Sequence, residues 1–294
     1  MKIAITGAGG FLGTELLRQL SEKDDVTVYA FTFDFERERE TYIHSDHIIT
    51  LDNSEAGSFD YSGIDVLINC AFPRNVSDES FAGGLVFIQK VIEKAAADHV
   101  GAVINISSQS VYSQVREKPA DEQAAVILES KYAVGKYWSE LFVNTVCKHI
   151  RHTNLRMASL IGAGFNQRIT NKFAMKVIHA EQITLSGGNQ LFGFLDVRDA
   201  ASGILKIAMD SGDWAPVYNL GNDAAYTLLE IAETAVAVGK TVGCAAPAPL
   251  MEGTGEWQNS ALCCRAFCSR FEWKAEYTLE STYRAIFDNL KERA

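Results

Sequence analysis

Short runs rich in Ile and Val alternate with longer stretches of helical period through the first half of the chain. The runs cover residues 2–6, 26–31, 47–51, 65–70, 102–107 and 153–157. Between them, apolar residues recur at roughly helical spacing over 11–21, 81–99 and 131–148. Strands this apolar, separated by stretches this long, predict βαβ units in a parallel sheet with helices on both faces. The predicted fold class is therefore α/β, a doubly wound parallel sheet.

After about residue 163 the pattern loosens. GAGFNQRITNKF precedes a helical stretch, SGGNQ marks a turn, and FGFLDVRDAASGILKIAM reads as a strand running into a helix. CAAPAPLMEGTGEW, with its Pro and Gly, reads as a long loop before the helical LESTYRAIFDNLKER. The chain leaves the sheet and returns. The expected division is a sheet domain of 1–165 plus about 194–222 and a smaller, discontinuous C-terminal substrate lobe of about 166–193 and 223–294. A length of 294 residues suits this, since one domain takes about 150.

Composition narrows the class. At 47% hydrophobic the chain can bury a large core, which excludes a disordered, collagenous or disulfide-scaffold protein. The formal net charge of −10, with no basic patch, argues against a nucleic-acid partner. No run approaches the roughly 20 apolar residues that span a bilayer. The opening MKIAITGAGGFLG is broken by glycines and has no small-residue cleavage site, so a cytoplasmic, membrane-free protein with reduced thiols is expected. Neither CCRAFC around residue 265 nor the pairs His44/His47 and His149/His152 has a completing ligand set nearby in sequence, so no metal is expected.

The chemistry begins where the first strand ends. Thr6 is followed by Gly7, Gly10 and Gly13, with Phe11 and Leu12 opening a helix. Glycine permits a tight turn and close backbone approach to a pyrophosphate, while the helix start supplies unpaired N–H groups and partial positive charge. Its position at the head of an alternating βα chain points to a dinucleotide. The second strand ends in Ala30, Phe31 and Thr32, without the carboxylate that selects NAD. Asp34 could serve a ribose, and Arg37 and Arg39 could instead meet a 2′-phosphate. The cofactor is NAD or NADP.

Two further segments carry acid/base chemistry. Ser107 and Ser108 close the fifth run, and 24 residues beyond Ser108 stands Tyr132, with Lys136 four residues on. Residues four apart share a helical face, so the Lys136 ammonium can favour ionisation of the Tyr132 phenol, whose ordinary pKa of about 10 makes it a poor base at neutral pH. Ser108 would hold the substrate oxygen.

The Gly loop, the strand-terminal serines and the YxxxK pair, in this order and spacing, resemble the extended short-chain dehydrogenase/reductase family. That group holds nucleotide-sugar epimerases, dehydratases and reductases, and the resemblance covers nearly the whole chain. It also matches Leu155-Arg156 with Ile161-Gly162, the segment 194–200, Val217 to Gly221, and Phe271-Glu272-Trp273 with Leu279-Glu280. The resemblance implies a Rossmann fold with dinucleotide contacts from Gly7, Gly10, Phe11, Leu12, Gly13, Asp52 and Asn53 near the adenine, Cys70-Ala71-Phe72, Tyr132 and Lys136. It implies catalysis by Ser108, Tyr132 and Lys136, with hydride exchanged at a carbinol or carbonyl carbon. It further implies a homodimer joined through the YxxxK helix, where Tyr137, Trp138 and Phe142 are expected to pack.

Departures bear on the substrate. Gln109 and Ser110 stand where dehydratases of the family carry Asp and Glu, which argues against elimination. Ser159 and Phe192 stand where galactose epimerases carry an Asn and an Arg that contact the nucleotide diphosphate. Arg168 and Asn171, with Ser159 and Ser108, are the candidate substrate contacts, and Lys172 is a further cation in that segment. The first reading is an epimerase or 4-keto reductase of a nucleotide sugar. The second is a reductase or dehydrogenase of a smaller carbonyl compound. The third is a non-catalytic dinucleotide sensor, which would have no need of Ser108, Tyr132 and Lys136 together.

Overall fold

The computed structural model describes residues 1–41, 45–74 and 76–292. The chain runs through β1 (Lys2–Thr6), α1 (Phe11–Leu20), β2 (Thr27–Thr32), α2 (Phe35–Thr41), β3 (Ile48–Asp52), β4 (Val66–Asn69), α3 (Asp78–Ala97), β5 (Ala102–Ser108), α4 (Lys131–Val146) and β6 (Arg151–Met157). It continues through β7 (Ser159–Ile161), α5 (Ile169–Ile178), β8 (Thr184–Ser186), β9 (Leu191–Asp196), α6 (Val197–Ala208), β10 (Val217–Leu220), β11 (Ala225–Thr227), α7 (Leu228–Thr241), β12 (Leu250–Glu252), α8 (Arg265–Phe271) and α9 (Leu279–Glu292).

The central sheet has seven parallel strands in the order β10-β6-β5-β4-β1-β2-β3. Its six expected strands are present, and β10 extends the edge. Every residue of β4 and β5 is buried, because helices cover both faces and no side of those strands meets water. The strand order reverses on either side of β1, which pairs with β2 through Ile5↔Ala30 and with β4 through Ile5↔Ile68. Loops at the carboxyl ends diverge at such a reversal and leave a crevice.

The chain folds into two compact units. The first comprises 1–111, 126–156 and 201–218. Its core includes Phe31, Tyr61, Leu67, Ile92 and Val143, with Trp138 and Phe142 packed against it. The second comprises 112–125, 157–200 and 219–294. Within the expected return segment of 194–222, residues 201–218 belong to the first unit. β9 pairs instead with β7 and β11, drawn there by Phe194 and Ile161, which lie in the second unit's core with Phe173, Ile231, Tyr283 and Phe287.

Local signals explain the helices nearest the crevice. Ser77 caps α3 by accepting from the Ser80 N–H at 3.2 Å, and Ser130 caps α4 by accepting from the Ala133 N–H at 3.1 Å. The capped α3 begins at Asp78, before the apolar residues that mark it in sequence. α1 differs: Gly10 stands at its N-cap and offers no side chain to the first-turn N–H groups.

Candidate active site

The crevice above the strand reversal is a cleft of about 910 Å³ within the first unit. Gly7, Gly9 and Gly10 form one wall, Thr32 to Asp34 with Arg37 a second, Asp52 to Ser54 a third, and Cys70 to Pro73 a fourth. Each group follows a different parallel strand, so the sheet itself gathers them.

The glycine positions have distinct physical demands. Gly7 has φ +70°, and a Cβ there would lie 2.7 Å from the Ala71 nitrogen. At Gly13 a Cβ would fall 2.3 Å from the Gly7 carbonyl oxygen, so α1 can pack onto the loop only without a side chain. Phe11, Leu12 and Gly13 build the start of the helix, and Leu12 is buried in the core. The loop thus brings backbone N–H groups and a helix N-terminus to the cleft, an arrangement that receives an anion such as a pyrophosphate.

At the end of β2, Thr32 is buried and its hydroxyl accepts from the Asp34 N–H at 3.2 Å. Arg37 reaches back to donate to the Gly9 carbonyl at 3.3 Å and pairs with Asp34 at the same distance. Asp34 and Arg37, both open to solvent, therefore stand side by side at the rim. The Arg39 side chain lies outside the described residues.

After β3, Asp52 is exposed and its Oδ1 accepts from both the N–H and the hydroxyl of Ser54, which hold its carboxyl below the ordinary range. Asn53, the next residue, is only 2% exposed, and its Oδ1 has no hydrogen-bond partner.

Tyr132 and Lys136, the expected acid/base residues, pack against Phe72. The Phe72 ring lies edge-on to the Tyr132 ring with centroids 5.2 Å apart, and the Lys136 ammonium sits 4.0 Å from the Phe72 centroid. Lys136 is buried and donates to the Ile106 carbonyl at 2.6 Å. Burial pushes its pKa down to about 7, with Cys70 and Glu140 opposing the shift and Arg74 adding to it. The Arg74 guanidinium lies 5.7 Å from the Tyr132 ring centre. Gly135 makes this packing possible, since a Cβ there would stand 2.6 Å from the Phe81 ring and 3.0 Å from the Phe72 ring. Ser108 is buried at the end of β5, donates to the Ser110 hydroxyl at 3.2 Å and accepts from the Ser110 N–H at 3.1 Å.

Behind the site lies a polar framework absent from the sequence reading. Thr6 donates to Asn69 at 2.8 Å, Asn69 to Asn105 at 2.9 Å, and Asn105 to both Asn154 at 2.8 Å and Ser139 at 3.2 Å. Ser139 in turn donates to the Lys136 carbonyl at 2.7 Å, so a chain of side chains links the strand of the glycine loop to the turn that carries Lys136. One residue further on, buried Glu140 accepts a bidentate pair from Arg156 at 3.0 and 2.7 Å and a hydrogen bond from Ser107. An alternating apolar pattern hints at none of these amides. The only available signal was polar residues inside otherwise apolar strands.

The remaining substrate candidates belong to the second unit. Ser159 is half-buried on β7, and Arg168 precedes α5 with its guanidinium 4.9 Å from the Phe165 ring centre. Asn171 is fully buried and spends its amide on the Gly162 carbonyl at 3.1 Å and on the Thr170 hydroxyl. Phe192 stacks on Phe194 at 5.9 Å and packs against that unit's core. His47 lies within hydrogen-bond reach of the Leu20 carbonyl, and His152 within reach of the Ile150 carbonyl. His44 lies outside the described residues. Among the described residues, no helix is long and apolar enough to cross a membrane.

Comparison with known proteins places these features in context. The sequence model of the NAD dependent epimerase/dehydratase family matches residues 3–221. The low-salt glycan biosynthesis protein Agl12 of Haloferax volcanii is 24% identical over 252 residues, 79% of this chain and 81% of that protein. A dTDP-glucose 4,6-dehydratase of Streptomyces niveus is 23% identical over 79% of this chain and 76% of its own length. Among solved structures, the UDP-glucuronic acid 4-epimerase of Bacillus cereus superposes with a TM-score of 0.88 at 17% identity, covering 100% of both chains. The UDP-glucose 4-epimerase of Thermotoga maritima gives 0.84 at 18%, covering 100% of this chain and 99% of its own. At these identities the structural likeness is one of fold.

Proposed function

The chain belongs to the NAD dependent epimerase/dehydratase family, and from that premise we propose that it exchanges hydride between NAD or NADP and a carbinol or carbonyl carbon of a nucleotide sugar, as an epimerase or 4-keto reductase. The observation that carries the reading is Phe72, which lines the dinucleotide-sized cleft and touches both Tyr132 and Lys136. The cleft suits the cofactor because Gly7 and Gly13 leave a cradle that a Cβ would fill, and because the turns after four parallel strands converge on it.

When bound, the nicotinamide supplies the redox step. The chain supplies position and proton. The Tyr132 hydroxyl takes or returns the proton of the substrate oxygen, Ser108 donates to that oxygen, and the positive form of Lys136 favours the phenolate. Phe72 shields this group from water and so strengthens each electrostatic contact. Gln109 and Ser110 bring no carboxylate to the turn after β5, so elimination is not part of the proposed reaction. Exposed Val86 on α3 and Val134 and Leu141 on α4 support pairing of two copies through these helices.

Phe192 favours a second reading, reduction of a smaller carbonyl compound. It stacks in an apolar core and offers no cation to a diphosphate. Denaturing freshly purified protein and identifying any released dinucleotide separates the two. Stoichiometric NAD supports an epimerase, which regenerates its cofactor in each cycle; an empty site that binds NADH or NADPH reversibly supports a reductase. Tyr132→Phe should lower turnover by at least about 100-fold with cofactor binding retained. A variant of near-wild-type rate would remove Tyr132 from the mechanism.

A further inference from the structure

Tyr132 has two cations against it. The Arg74 guanidinium lies 5.7 Å from the centre of the Tyr132 ring and the Lys136 ammonium 5.9 Å from it, so two positive groups stand at matching range from one phenol. They come from different elements. Lys136 follows Tyr132 by one turn of α4, whereas Arg74 belongs to the segment that leaves β4 and leads to the Ser77 cap of α3.

That segment is braced before it reaches Arg74. Phe72 closes on α4 at Gly135, where a Cβ would stand 3.0 Å from its ring, and Pro73 closes on α3 at Gly84, where a Cβ would stand 2.5 Å from the Pro73 ring. Glycines of two helices thus seat two consecutive side chains, and Arg74 is the next residue.

The two cations differ in chemistry. Burial brings the Lys136 pKa down to about 7, and repulsion from Arg74 adds to the fall. Arg74 is exposed, and a guanidinium does not lose its proton in a protein. Above pH 7 it keeps its charge beside the phenol while Lys136 loses its own. Around them, Lys131 of α4 pairs with Asp78 of α3, exposed Glu129 precedes α4, Glu140 is held by Arg156, and burial keeps the Cys70 thiol protonated. A phenolate spreads negative charge over its ring and oxygen, so a cation against the ring stabilises it more than the neutral phenol. A unit charge at this range lowers a pKa by about 0.5 pH unit in water-like surroundings and by about 2 at a protein surface.

We propose that Arg74 is the permanent cation of the acid/base site: seated against the Tyr132 ring, its guanidinium favours the phenolate with or without a charge on Lys136. The inference rests on the reading of Tyr132 as the proton-transfer group and adds to it a residue that acts through that phenol.

The test is a pH titration of Tyr132 by carbon-13 NMR of tyrosine-labelled protein, with its signal assigned by loss in Tyr132→Phe. Neither cofactor nor substrate is needed. Because removing Arg74 also lets Lys136 hold its proton longer, the clean comparison is made in Lys136→Met. There, Lys136→Met/Arg74→Met should raise the Tyr132 pKa by at least about 0.5 pH unit. Lys136→Met/Arg74→Lys, which keeps the charge, should recover most of that rise. An unchanged or lowered Tyr132 pKa in Lys136→Met/Arg74→Met overturns the proposal, as does a rise that the lysine variant leaves in full. If Lys136→Met fails to fold, Arg74→Met against wild type decides by the same sign, since Arg74 is exposed and its loss leaves the core untouched. Failure here leaves Tyr132 as the proton-transfer group, whose own test is the turnover of Tyr132→Phe.

Discussion

Lys136→Met measures the electrostatic cost of holding an ammonium beneath Phe72. Burial takes this lysine from its ordinary 10.5 down to about 7, so between those values the unfolded chain holds a proton that the folded chain has released. Stability rises with pH wherever the unfolded state binds more protons. The wild type should therefore gain stability as pH climbs from about 7 toward 10.5, and the gain should be complete above that. One unbalanced proton is worth about 1.36 kcal/mol per pH unit, and the lysine is half titrated at the lower end, so the gain from pH 7 to 9 is roughly 2 kcal/mol. Cys70 and Cys147, whose thiols burial pushes up to about 12, pull the other way in the alkaline range. Burial keeps both thiols protonated in the folded proteins through pH 9, so over this range the difference between wild type and Lys136→Met reports the lysine. Urea denaturation of the nucleotide-free proteins at pH 7, 8 and 9 reads that difference directly. We expect it to move by roughly 2 kcal/mol in favour of the wild type as pH rises. Parallel pH profiles for the two proteins would refute the argument and leave Lys136 fully charged in the free protein.

Gly10→Val should leave the fold intact and abolish dinucleotide binding. A Cβ at position 10 meets only the Gly7 carbonyl, at 3.2 Å, whereas the added methyls would occupy the approach to α1; calorimetric titration with normal affinity would show that this helix start does not receive the pyrophosphate. Glu140→Leu strands the Arg156 guanidinium in the interior, a change that costs about 3–5 kcal/mol. Glu140→Leu/Arg156→Met should recover most of that loss, because replacing both partners removes the uncompensated charge; a double variant as unstable as the single one in denaturant melts would show that packing, and not charge, is what the pair provides.

Contiguous features of this protein are legible in its sequence. Six strands of the central sheet, the glycine loop and the Tyr132/Lys136 pair depend on neighbours within a few residues, through side-chain period, backbone freedom at Gly7 and the i, i+4 geometry of α4. The departures at Gln109, Ser110 and Phe192 are equally visible, because an absent carboxylate or guanidinium needs no structure to be noticed. Tertiary structure decided what depends on approach between distant segments. Phe72 becomes the wall shared by the cleft and Tyr132 only because Gly135 lets α4 close on it. Asn69, Asn105 and Asn154 read as interruptions of apolar strands until the parallel register brings them into hydrogen-bond contact. Asp52 and Asn53 stand side by side in sequence, yet one is spent on capping its own turn and the other is buried with an open acceptor. Period and propensity act along the chain, while burial and hydrogen-bond satisfaction are properties of the packed whole, and the fate of each polar residue is settled there.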